Sequence, residues 1–217
     1  MSWRVVVPFK GAPNSKSRLA ARFDDLARHA LALAFLQDVV AAARAAPGVS
    51  GVTLVSSEPG LATLFPSDPA HPDAAPVDVT PDPRHGLNGA IAHGIRVARA
   101  HDGAAHVAVL LGDLPELTAA ELSATLALAA GHPLSYVTDA AGTGTSMITL
   151  APGETAQPRF GAGSAAAHAA GGFVRLEVAA ESGLRRDVDA PDDVDRIARP
   201  GRFTAAVLAA VVPESAR

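Results

Sequence analysis

The sequence predicts an α/β protein with a mostly parallel central sheet and helices on both faces, folded as a single domain over 1–217. Three observations predict it. Short β-like apolar runs alternate with longer runs of helical spacing from end to end. The chain has 217 residues, 48% hydrophobic and 18% charged, which is enough for one substantial core. Five polar segments mostly fall just beyond predicted strands, where ligands sit in sheets of this kind. They are 8–20, 86–91, 110–117, 142–146 with 159–164, and 187–194.

Val5 to Val7 reads as a buried strand closed by Pro8. Asp24 or Asp25 can cap a long helix reaching about Arg44, with Leu26, Leu31, Phe35 and Val39 at helical spacing. Pro47-Gly48 stops it. Val52 to Val55 is a second strand, and 58–76 is rich in Pro, Asp and Ser with a short helix over Leu61 to Phe65. Val77 to Val79 is a third strand, Asn88 to Arg99 a helix, and His106 to Leu111 the clearest central strand. Thr118 caps the next helix, with Glu121 completing a capping box. Leu134 to Thr138 and Ser146 to Leu150 are strands separated by a glycine turn. Ser164 to Ala170 is a short helix, Phe173 to Val178 a strand, and Pro191 to Ala198 a helix with Pro in its first turn. Thr204 to Val212 is a terminal helix.

A net charge of −4 gives a nucleic-acid partner no electrostatic footprint. There is no cysteine, which rules out disulfide and thiol chemistry and fits a cytoplasmic location. The N-terminus enters a β-like run without a signal-peptide pattern, and no apolar stretch reads as a membrane span. A homodimer is carried as a candidate assembly.

The polar segments hold the chemistry. Lys10, Lys16 and Arg18 follow the first strand in a loop with Gly11, Pro13 and Asn14. Lys and Arg neutralise phosphates as a point charge and a fork, although a solvated basic loop reads the same way. Neither GxxxxGK[ST] nor GxGxxG is present. Asp113 emerges at the end of the apolar run 107–111, where it can hold Mg²⁺ or simply make a turn before Pro115. Asp187 and Asp189 alternate on an extended segment, so one of them can join Asp113 at a metal, and Asp189 is favoured. Asp192 and Asp193 sit in a first helical turn and complement its dipole. Thr145, Gly161 and Ser164 lie in glycine turns that suit an anion, or are plain turns with a Ser cap. His168 reads as a helix-surface residue rather than a zinc ligand, and no nucleophile elbow is present.

The runs VVVPFKGAPNSKSRLA, LLGDLPEL, DAAGTGTSMI, RFGAGSAAAH and GLRRDVDAPDDV together resemble the 2-phospholactate/phosphoenolpyruvate guanylyltransferase family of deazaflavin coenzyme F-420 biosynthesis. The resemblance covers nearly the whole chain and implies a GT-A-like nucleotidyltransferase fold. It implies that Lys10, Lys16 and Arg18 hold the triphosphate of GTP, and that Asp113 and Asp189 hold Mg²⁺. Lys16, Arg18 and Asp113 would form the catalytic set. It implies that Asn88 contacts the nucleoside, and that Thr145, Gly161 and Ser164 grip a phosphorylated three-carbon acid. The chain departs from the family pattern at Gly112 and Glu116, where Ala or other small residues are more usual, and at Ala190, where Thr is. An acceptor that is already an ionised phosphate monoester needs no general base, which fits the lack of a catalytic His or Ser. The residues do not separate phosphoenolpyruvate, 2-phospho-L-lactate and 3-phosphoglycerate as acceptors, since all present a phosphate and a carboxylate, and the bacterial look of the composition tilts the reading to phosphoenolpyruvate. A related transferase using CTP, a sugar phosphate or molybdopterin is a second reading, and a GTP-binding module without turnover is a third.

Overall fold

Residues 1–11, 16–66 and 74–211 are described by a computed structural model. Pro13 and Asn14 of the first loop, 67–73 of the polar stretch and Val212 lie outside the described residues.

Seven strands form one sheet in the order β3-β2-β1-β4-β6-β5-β7. They are β1 (Trp3–Pro8), β2 (Val49–Val55), β3 (Val77–Thr80), β4 (His106–Leu110), β5 (Leu134–Thr138), β6 (Thr145–Leu150) and β7 (Val174–Arg175). The helices are α1 (Asp25–Ala45), α2 (Gly86–His101), α3 (Ala119–Ala129), α4 (Ser164–Ala170), α5 (Pro191–Asp195) and α6 (Arg202–Val211). Alternation along β1 explains the layering. Val5 and Val7 face the cluster built with α1 and α3, while Val6 faces the opposite cluster with Ile91 and Ile95 of α2. A third cluster joins Leu31 and Phe35 of α1 to Val188, Val194 and α6.

Local signals act as expected where they are strong. The Asp24 carboxylate accepts from the Ala27 amide and starts α1. Thr118 and Glu121 form the full capping box of α3. Elsewhere the structure differs from expectation. Strand β6 runs antiparallel to both β4 and β5, while the other pairings are parallel. The expected strand 173–178 shrinks to Val174–Arg175, because β7 is an edge that pairs only with Ser135 and Tyr136. Helix α5 ends at Asp195, and Leu61–Leu64 is a 3-10 turn. Leu26 is 77% exposed. It lies five positions before Leu31, roughly 140° off the buried stripe. Helix α1 itself is long and apolar enough to cross a membrane by length and composition, contrary to the sequence expectation. Ten of its residues are nevertheless buried inside the protein.

Buried carboxylates fasten the C-terminal segment. Asp38 of α1 accepts from the amides of Phe203 at 3.1 Å and Thr204 at 2.8 Å, capping α6. A Cβ on Gly201 would run into that carboxylate, so only glycine fits there. Glu116 accepts from the amides of Ala198 and Arg199 and from Arg186, which gives this departure from the family pattern a structural role. Asp38→Ala leaves two inward amides without an acceptor. It is expected to lower unfolding free energy by about 2–4 kcal/mol, with Asp38→Asn costing less, as read from urea midpoints.

Candidate active site

A cavity of about 520 Å³ opens beyond the carboxyl ends of β1 and β4. Because β6 runs backwards, its first residue, Thr145, reaches the same edge. Lys10, Lys16, Arg18, Asp113, Thr145, Gly161, Ser164, Asp187 and Asp189 all line it. Asp82, Leu87, Asp139 and Thr143 line it too, and sequence reading did not single them out.

The charged end is held by a three-way contact. Lys16 has φ 56° and ψ 43°, a left-handed conformation that is uncommon for a side-chain-bearing residue. It turns the side chain inward, where the ammonium bonds Asp113 Oδ2 and lies 2.9 Å from Asp189 Oδ1. Burial opposes the Lys16 charge, but Asp113 and Asp189 outweigh it and raise its pKa above the usual lysine range. Burial likewise opposes the Asp189 charge, and Lys16, then Arg18, overcome it and lower that pKa. Arg18 is mostly exposed, with Nη1 3.8 Å from Asp189 Oδ2. Lys10 is exposed at the rim.

Backbone bonds bring the late acidic segment to this edge. The Val188 amide donates to the Asp113 carbonyl at 3.0 Å. The Asp193 carboxylate accepts from the amides of Asp189 and Ala190, so it works as a local cap, as expected. Gly112 packs where a Cβ would stand 3.3 Å from Leu36 and 3.5 Å from Val7, which favours its small size. Asp187 is the perturbed acid of the group. Burial, then the charges of Asp113 and Asp189, push its pKa up to about 7.

The neighbouring carboxylates Asp113, Asp187 and Asp189 are chemically suited to a divalent metal, and Asp113 Oδ1 is buried without a hydrogen-bond partner. Among the described residues no group of three acidic or imidazole side chains is already arranged as a metal centre, since Lys16 holds the carboxylates.

The other end of the cavity is built from turns. Asp139 accepts from the amides of Thr143 and Gly144, closing the β5–β6 connection. Gly163, not Ser164, is the N-cap of α4, and Ser164 is its buried first residue. Gly161 adopts φ +129°, in a region open to glycine. Asn88 is not among the cavity residues. Its side chain accepts from the Phe160 amide at 2.8 Å and donates to the Phe160 carbonyl at 3.0 Å. Each polar group thus carries one bond to Phe160, and Asn88 ties the 159–164 turn to α2. His168 is also corrected: it is fully buried, not on the helix surface. Seven residues of α4 give too little periodicity to reveal the inward face.

Residues 3–192 match the family described as guanylyl transferase CofC like. A protein of Streptomyces scabiei (strain 87.22) called phosphoenolpyruvate guanylyltransferase is 42% identical over 194 residues, covering 89% of each chain. A nucleotidyl transferase of Methanothermobacter superposes with a TM-score of 0.63 at 17% identity, over 94% of this chain and 99% of that one. Rv0371c of Mycobacterium tuberculosis H37Rv, crystallised in complex with manganese, gives 0.51 at 19% identity over 91% and 98%. The fold is therefore that of nucleotidyltransferases.

The buried acid yields a pH test. Asp187 has a folded pKa above that of an unfolded aspartate. Its contribution to stability is full below about pH 4 and is lost as pH rises through about 7. Asp187→Asn in chelator is expected to gain about 1–2 kcal/mol at pH 8, after solvent screening, and nothing at pH 4. Thermal unfolding at the two pH values measures it.

Proposed function

The chain belongs to the CofC-like guanylyl transferase family, and on that premise we propose that it transfers GMP from GTP to phosphoenolpyruvate, releasing pyrophosphate, as a step of coenzyme F-420 biosynthesis. The observation that carries this reading is the pairing, in one cavity, of the Lys16–Asp113–Asp189 cluster with the glycine turns at Thr145, Gly161 and Ser164.

In this reading Lys10 and Arg18 at the open side of the cavity, and Lys16 held inward by Asp113 and Asp189, neutralise the triphosphate as point charges and a fork. Asp113 and Asp189 would hold a divalent cation, Mg²⁺ in our choice, which supplies charge neutralisation at the phosphates when bound. The unpartnered Asp113 Oδ1 and the manganese in the Rv0371c crystal support that assignment. Thr145, Gly161 and Ser164 take the carboxylate and phosphate of the acid. Asn88 acts through Phe160, by keeping this turn in shape.

The chemistry needs no general base. The acceptor phosphate has a second pKa of about 6 and is largely dianionic at neutral pH. One of its oxygens forms a bond to the α-phosphorus of GTP while the bond to pyrophosphate breaks, and no proton has to be removed. Positioning and charge neutralisation supply the rate.

A pyrophosphate-release panel tests the proposal. GTP with phosphoenolpyruvate is expected to outpace every other pairing of GTP or CTP with phosphoenolpyruvate, 2-phospho-L-lactate or 3-phosphoglycerate. A faster pairing would reassign the substrate, and release with a sugar phosphate alone would sink the family reading for this chain. Within the same assay, Asp113→Asn is expected to abolish most turnover with the fold intact. Lys16→Ala and Arg18→Ala are each expected to weaken GTP use by about tenfold or more. Wild-type GTP titrations in both variants would mean a merely solvated loop.

A further inference from the structure

Thr145 does not stand alone. Its hydroxyl oxygen lies 2.9 Å from Nδ1 of His168. On the far side of the ring, the Arg159 amide donates to Nε2 at 3.1 Å. An amide N–H only donates, so Nε2 accepts and carries no proton. The ring is also neutral: burial, reinforced by the charge of Arg159 and opposed by the Ser164 carbonyl, lowers its pKa to about 4. A neutral imidazole with a bare Nε2 has its proton on Nδ1. Nδ1 then has no lone pair to accept with, so it donates, facing the Thr145 hydroxyl at 2.9 Å and the Ser164 carbonyl. A hydroxyl that accepts from its neighbour keeps its own hydrogen. Thr145 borders the cavity, so that hydrogen is available to an oxygen of the ligand.

We infer that His168 is a positioning residue for the acid substrate. Through its Nδ1–H tautomer it occupies one lone pair of the Thr145 hydroxyl and leaves that hydroxyl's hydrogen free to donate to an anionic oxygen, and it ties the 159–164 turn to the start of β6. The inference rests on reading Thr145 as an acid contact. It goes beyond that reading by assigning direction: His168 donates to Thr145, and Thr145 donates to a carboxylate or phosphate oxygen. The ring is also packed edge-on to Phe160 and Phe173. A role in packing alone would need its shape but neither its tautomer nor its two hydrogen bonds.

The experiment begins with the unmodified enzyme. Imidazole ¹⁵N–¹H correlation spectra at neutral pH are expected to show His168 protonated on Nδ1. An Nε2–H tautomer overturns the inference without any variant. Two substitutions then divide the bonds. The amide of His168→Asn reaches the Nδ1 position and can still donate to Thr145, whereas that of His168→Gln reaches the Nε2 position and can only serve Arg159. His168→Gln is expected to raise KM for phosphoenolpyruvate by about tenfold, with His168→Asn closer to wild type and KM for GTP within about twofold in both. Equal losses for both substrates, or a worse defect in His168→Asn, reduce His168 to packing. Thr145→Val separates the layers. If it leaves the acid KM unchanged, the acid-site reading has failed. If it raises that KM while His168→Gln does not, only the role of His168 has failed.

Discussion

Everything at the charged end of the cavity depends on one ammonium group. Lys16 reaches Asp113 across 97 positions of sequence and Asp189 across 173. Without a cation there, Asp113, Asp187 and Asp189 would face one another in a partly dehydrated space; at Asp187, burial first and the charges of Asp113 and Asp189 second already raise the pKa. The left-handed backbone at Lys16 is the local cost of putting the charge there. The sheet does the rest of the positioning. Pro8 ends β1, Leu110 ends β4, and the Val188–Asp113 backbone bond brings the last acid to the same edge.

The opposite end works by different means. It has few charges and many turns, and its order comes from side chains that bond backbone. Asp139 fixes the Thr143–Gly144 amides, Asn88 clamps Phe160 from both sides, and His168 joins Thr145 to Arg159. A small dianionic acid requires such compact donors, because each bulky side chain would stand between the ligand and the amides.

How much of this was legible depended on range. Features set by neighbours in sequence were readable: the Asp24 cap, the Thr118–Glu121 box, Pro191 at the start of α5, and the apolar run that ends at Asp113. The order of the polar segments also placed most of the cavity-lining residues, since loops after parallel strands converge on one edge. What stayed hidden was set at long range. Asn88 looks like a free loop amide until Phe160 is brought beside it, 72 residues away. His168 looks like one face of a short helix until β6 covers it. The direction of β6 was unreadable for the same reason, because a glycine turn and a crossover can separate similar strands.

That direction sets the order in which the cavity can come together. The β5–β6 pair is a hairpin closed over five positions between Asp139 and Gly144, while the Lys16 contacts close separations of 97 and 173. The longer closures cost roughly 3 kcal/mol more chain entropy each. The hairpin that carries Thr145 is thus a local unit able to form within microseconds of collapse, whereas the Lys16 end of the cavity exists only once the whole sheet has registered. A lesion in β1, β2 or β4 therefore taxes the Lys16 end of the cavity first, and the β5–β6 hairpin outlives it.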